Sequence, residues 1–140
     1  MKKKKIKECA QKYCVIDRVE FIGRATRAEM WHLYKTSQIC VLSSKREYIP
    51  GAVIECFAAG IPVVAISTPG VNEADLRKKT YLLVKTWDKA NISDAVSRLL
   101  KDSELREQII KSARKTLDEK FSWKTHSHAL LNFFELICKK

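Results

Sequence analysis

The sequence predicts an α/β fold, a Rossmann-like parallel sheet of about four strands with flanking helices. Three observations carry this reading. Short apolar runs alternate with stretches of helical length, the pattern of strand–helix–strand crossovers. The runs Ile39–Leu42 and Pro62–Ile66 are apolar without alternation, as expected of strands covered on both faces. Between them lie a loop and a helix that opens at Pro50–Gly51 and closes at Gly60, the crossover that joins parallel neighbours.

Each element follows from its local pattern. Ile6, Cys9, Ala10, Tyr13 and Cys14 fall on one face of an amphipathic helix with lysines opposite. Val19–Ile22 reads as a short strand ending at Gly23. Thr26 and Glu29 form a capping-box pattern that starts a helix with Met30, Leu33 and Tyr34 as its stripe. In the helix after Pro50, Ile54, Phe57 and Ala58 are expected to pack inward. Ser67–Gly70 is a loop at the carboxyl end of the second long run, and Tyr81–Val84 a further strand. Three helices close the chain, with Asp88, Ser103 and Ser122 as their expected caps. The last carries Trp123, Leu130, Phe133, Phe134 and Ile137.

The chain has 140 residues, enough for one domain and one core, so residues 1–140 are read as a single domain, incomplete on its amino-terminal side. Its net charge of +11 suits anionic partners such as phosphorylated metabolites, acidic lipid surfaces or nucleic acid. The basic start, Lys2–Lys5, reads as a solvated end that also allows peripheral membrane contact. No apolar h-region follows it, so export is not expected and the location is read as cytoplasmic. The five cysteines form no C-x-x-C pair, and they read as reduced, buried thiols rather than a metal set. The three histidines are assigned to structure.

The stretch Glu47–Tyr48–Ile49–Pro50–Gly51–Ala52–Val53–Ile54–Glu55 sets two glutamates with seven residues between them, and Ala58–Ala59–Gly60–Ile61–Pro62–Val63–Val64 follows. With Val19–Gly23, Ser43–Ser44, Pro69–Gly70, Glu73 and Phe121–Trp123, this resembles the carboxyl-terminal nucleotide-sugar-binding domain of the retaining glycosyltransferases with the GT-B fold, family 4 (group 1). The resemblance covers roughly residues 6 to 137. It implies a nucleotide-diphosphate sugar as donor substrate, with no separate cofactor and no metal. It assigns Glu55 to the ribose and places Glu47 beside the transferred sugar as the catalytic carboxylate.

The residues support these roles and leave plainer ones open. Gly51, Ala52 and Val53 would present backbone N–H groups at the positive end of a helix, an anion site suited to a diphosphate; an ordinary helix start reads the same way. Glu55 can accept hydrogen bonds from vicinal hydroxyls, or it is a surface glutamate near a favourable dipole end. Glu47 can stabilise positive charge developing at a sugar carbon, or it is a loop carboxylate paired with Lys45 or Arg46. Pro50 departs from the glycine frequent there and removes one amide donor. Glu73 is a weaker site candidate. The family pattern also has two earlier strands, a loop with an Arg and a Lys for the diphosphate, and an acceptor-binding domain. None is recognisable here, so a missing amino-terminal half or a partner chain is expected, and the chain alone is expected to be inactive. The competing reading is a basic α/β module binding nucleic acid or a protein. No aromatic–basic interleaving or recognition helix supports nucleic acid, which is not expected as a partner.

Overall fold

Three of the four expected strands pair. β1 (Cys40–Leu42), β2 (Val63–Ile66) and β3 (Leu82–Val84) form a parallel sheet in the order β1-β2-β3, with Val41 opposite Val64 and Ala65 opposite Leu83. The structure is a computed structural model that describes residues 2–44, 51–69, 71, 80–85 and 88–138. It divides into two units, Met1–Met30 and Trp31–Lys140, and the sheet belongs to the second.

In the first unit, α1 (Lys2–Lys12) ends where Cys14 takes a left-handed φ of 53°. The Cys14 amide donates to the Gln11 carbonyl at 3.0 Å and the Val15 amide to the Ala10 carbonyl at 2.9 Å, the bond pair of a Schellman stop. The helix is as the periodicity implies, but it stops earlier than expected and its apolar face is not covered. Ala10 is buried, whereas Ile6 and Tyr13 stay exposed, and Tyr13 and Cys14 lie past the helix end. A 3-10 turn (Ile16–Arg18) follows. Val19–Ile22, expected as a strand, joins no sheet. Strand-forming side chains alone do not hold an extended segment; it needs a neighbour that takes its backbone bonds. The capping box forms as expected. The Thr26 amide donates to a Glu29 carboxylate oxygen at 2.6 Å, and the Glu29 amide donates to the Thr26 hydroxyl at 3.3 Å. These bonds open α2 (Arg27–Thr36).

In the second unit, β2 is the central strand and all four of its residues are buried. α4 (Lys89–Lys101) packs on β2 and β3, and α5 (Ser103–Thr116) packs on α4. Val64, Val84, Ala95, Leu99 and Ile109 form the core between them. Register puts Val41 on the same face as Val64, yet it remains 45% exposed. The expectation that β1 is covered on both faces is therefore corrected: its position at the sheet edge leaves one side chain open. Asp88 caps α4 as expected, its side chain accepting from the Ala90 amide at 3.0 Å. Asp102, not Ser103, caps α5, accepting from the Leu105 amide at 2.9 Å. The carboxylate brings a negative charge to the positive end of the helix, which the serine cannot.

A π-helical turn (Leu117–Phe121) leads into α6 (Trp123–Cys138), capped by Ser122, whose hydroxyl accepts from the Thr125 amide at 3.1 Å. The expected stripe is present but unburied: Trp123 is 86% exposed and Phe133 57%, and no described residue of α6 is buried. Among the described residues, no helix is long and apolar enough to cross a membrane. A helix that is this apolar and this exposed should seek cover from water. Purified chain is expected to scatter light with a mass above its 16.1 kDa monomer. The pair Leu130→Glu and Phe134→Glu should lower that mass. A monomeric wild type would show that α6 tolerates water as it stands.

Candidate functional site

The candidate site is built on α3 (Gly51–Ala59), which follows β1 in the chain. Parallel open sheets bind their ligands at the carboxyl ends of the strands. Gly51 stands exposed at the first position of α3, and a Cβ placed on it would meet no described residue within 4 Å. Ala52 is half-buried, and Val53 is wholly buried. The positive end of the helix dipole thus lies at an open position, next to a residue without a side chain.

The helix is held by Val53, Cys56 and Phe57, which are 0–1% exposed and fall at i, i+3 and i+4. Of the residues expected to face inward, only Phe57 does so fully; Ile54 and Ala58 are half-buried. The Phe57 ring packs 6.0 Å from that of Tyr81, and the Tyr81 hydroxyl donates to the Val71 carbonyl. The helix stops at Gly60, whose φ of 73° suits glycine. The Ile61 amide donates to the Cys56 carbonyl at 3.0 Å and the Gly60 amide to the Phe57 carbonyl at 3.3 Å, a second Schellman stop. It turns the chain directly into β2.

With Val53, Cys56 and Phe57 facing in, Glu55 is left on the open side of α3 and is exposed. It is not free to wander. The Tyr34 hydroxyl donates to its Oε2 at 2.8 Å, from a side chain that is 8% exposed. Burial, and next the hydrogen bond and charge of Glu55, hold the Tyr34 phenol well above its ordinary pKa, so it stays a donor across the physiological range. In the sequence Tyr34 falls in an apolar stripe, which does not announce this bond. The signal that could have found it is the phenol itself, which needs a polar partner when buried.

The Cys40 and Cys56 thiols meet beneath the same helix. Their shared hydrogen bond, and then burial, push the Cys56 thiol upward, so it is protonated. The expectation of buried thiols holds for Cys56 and partly for Cys40. Cys9, Cys14 and Cys138 are exposed, the first two by the open face of the first unit and the third by the lack of cover on α6. Of the residues proposed for the site, Gly51, Ala52, Val53 and Glu55 are gathered on α3, while Glu47, Pro50 and Glu73 lie outside the described residues.

The profile of the family described as "Glycosyl transferases group 1" matches residues 1–116. The chain belongs to that family. Similar proteins include an uncharacterised glycosyltransferase of Methanocaldococcus jannaschii, 29% identical over 119 residues that make up 85% of this chain and 30% of the relative. A glycogen synthase of Mycobacterium tuberculosis is 28% identical over 116 residues, 83% of this chain and 28% of its own. The chain therefore spans under a third of the length of these curated relatives. Among solved structures, sucrose-phosphate synthase from Thermosynechococcus elongatus superposes with a TM-score of 0.84 at 25% identity, over 99% of this chain and 35% of that one. The carboxyl-terminal domain of a group 1 family protein from Francisella tularensis superposes with a TM-score of 0.71 at 21% identity, over 86% of this chain and 63% of that one, a likeness of fold. The expected GT-B domain architecture is thus the observed one.

Proposed function

We propose that the chain binds a nucleotide-diphosphate sugar at the start of α3 and serves as the donor side of a retaining glycosyl transfer. The observation that carries this is Glu55, exposed on the same helix as the exposed Gly51 and held by Tyr34 at 2.8 Å. A carboxylate and a set of amide donors on one helix suit the two unlike ends of a nucleoside diphosphate. The Gly51 and Ala52 amides, with Val53 behind them, meet the phosphates. Glu55 accepts from the ribose hydroxyls. Glu47 is assigned by the family resemblance to the transferred sugar, where a carboxylate steadies the positive charge that grows as the sugar carbon parts from the phosphate oxygen. The bond electrons leave with the nucleoside diphosphate, and an acceptor hydroxyl takes its place at that carbon and sheds its proton. Beyond donor and acceptor, neither metal nor separate cofactor enters the proposal.

We assign the acceptor side to the part of such proteins that this chain does not span, supplied by a missing amino-terminal half or a partner chain. Transfer needs both substrates held together with water excluded, so the chain alone is proposed to be inactive. A cytoplasmic location and peripheral membrane contact belong to the same proposal, since nucleotide sugars are anionic and the chain is basic. The rival reading, a basic module for nucleic acid, draws only on the net charge of +11 and is not favoured by the family match.

The test is calorimetry with a nucleotide-diphosphate sugar on Glu55→Ala, with the missing half added if the chain alone binds too weakly. Losing hydrogen bonds to a charged group should cost about 1.5–3 kcal/mol of affinity. An unchanged affinity would remove Glu55 from the ribose.

A further inference from the structure

We infer that Tyr34 is a positioning residue, which turns the Glu55 carboxylate to the one orientation that meets both hydroxyls of a ribose. The inference rests on the nucleotide-binding reading and extends it to a residue outside the glutamate motif.

The two side chains come from different helices, α2 and α3, and are 21 positions apart in sequence. Tyr34 is the rigid member. It is 8% exposed, and its ring meets that of Trp31 edge to face with centroids 6.1 Å apart. Glu55 is the soft member, an exposed side chain with three rotatable bonds. An unheld glutamate loses substantial rotamer freedom when a ligand fixes it. Here the phenol has already fixed Oε2.

A carboxylate offers about four lone-pair sites on its two oxygens. The phenol uses one on Oε2, so Oε1 and the other Oε2 site remain for two hydroxyl donors. Vicinal hydroxyls of a ribose are two such donors on neighbouring carbons. A held carboxylate can take both at a smaller entropic loss than a mobile one.

The plainer role for the same bond is that Glu55 merely satisfies a buried phenol. The two roles differ in what a ligand feels. If Tyr34 works through Glu55 on the ribose, removing the phenol oxygen should weaken only ligands that carry the diol. If it supports the fold, all ligands should weaken alike.

The experiment titrates the full 140-residue chain by NMR with ADP, GDP and UDP, and with their 2′,3′-dideoxy counterparts. Variants are Tyr34→Phe, Glu55→Ala and the two combined, with melting temperatures recorded for each. For whichever ribonucleotide binds, Tyr34→Phe is expected to weaken affinity about three- to ten-fold, the worth of one net hydrogen bond. The dideoxy ligand should bind the wild type and Tyr34→Phe alike. In the Glu55→Ala background, Tyr34→Phe should have no further effect.

Several results would overturn the proposal. Selective ribose loss in Glu55→Ala with none in Tyr34→Phe would refute the positioning role and leave the ribose site intact. Equal loss for ribo and dideoxy ligands in Tyr34→Phe would assign the phenol to the fold. No ribose dependence in Glu55→Ala, or no ribonucleotide bound by the wild type even with the missing half added, would overturn the site and the inference together.

Discussion

Phe57→Ala is expected to lower the stability of the chain by about 3–5 kcal/mol, the range for emptying a large aromatic site in a packed core. Phe57 is 1% exposed, shares the inward face of α3 with the fully buried Val53 and Cys56, and packs its ring 6.0 Å from that of Tyr81. Domains of this size are stable by about 5–15 kcal/mol in all, so the loss removes a large share. It also unseats the helix that carries Gly51 and Glu55, and nucleotide affinity should fall with stability. Urea unfolding checks the first part: the midpoint should drop with little change in slope. Phe57→Leu, which fills most of the space, should cost far less. A loss below about 1 kcal/mol for Phe57→Ala would mean that α3 is held elsewhere, against the packing seen here.

Glu47→Gln should show its effect in turnover. In a complete two-domain enzyme carrying this segment, kcat is expected to fall about 10²–10³-fold, the scale for removing one group that stabilises charge present only in the transition state. Glutamine keeps the shape and one carbonyl oxygen but not the negative charge. Donor affinity should change much less, because the ground-state sugar carries no positive charge for Glu47 to meet. Steady-state kinetics at saturating donor, together with calorimetry for donor binding, separate the two quantities. If affinity drops and turnover holds, Glu47 is a binding group and the charge argument is wrong.

Much of the architecture was legible along the chain because it rests on local rules. Unalternating apolar runs became β1 and β2, Gly60 took the left-handed turn that ends α3, and Thr26 and Glu29 closed a capping box. Asp88 and Ser122 capped their helices for the same reason: a side-chain oxygen next to free amides needs no distant partner. The two spaced glutamates with their glycine and proline tail were likewise a local signal, and the family match over residues 1–116 agrees with it.

Other features depended on what lies across the fold, which no local pattern reports. Val19–Ile22 has the composition of a strand, but a strand exists only where a neighbour accepts its ladder. Val41 and the apolar stripe of α6 have the pattern of buried surface, yet a stripe says what a helix or strand could bury and not what arrives to cover it. The inward face of α3 was set by how the helix seats on its neighbours, which brought Val53 and Cys56 in and left Ile54 at the margin. That same seating turned Glu55 outward and laid it against Tyr34, a contact between residues 21 positions apart. Hydrogen bonds of that kind arise when packing brings two helices together, so their partners become known only when the chain is folded.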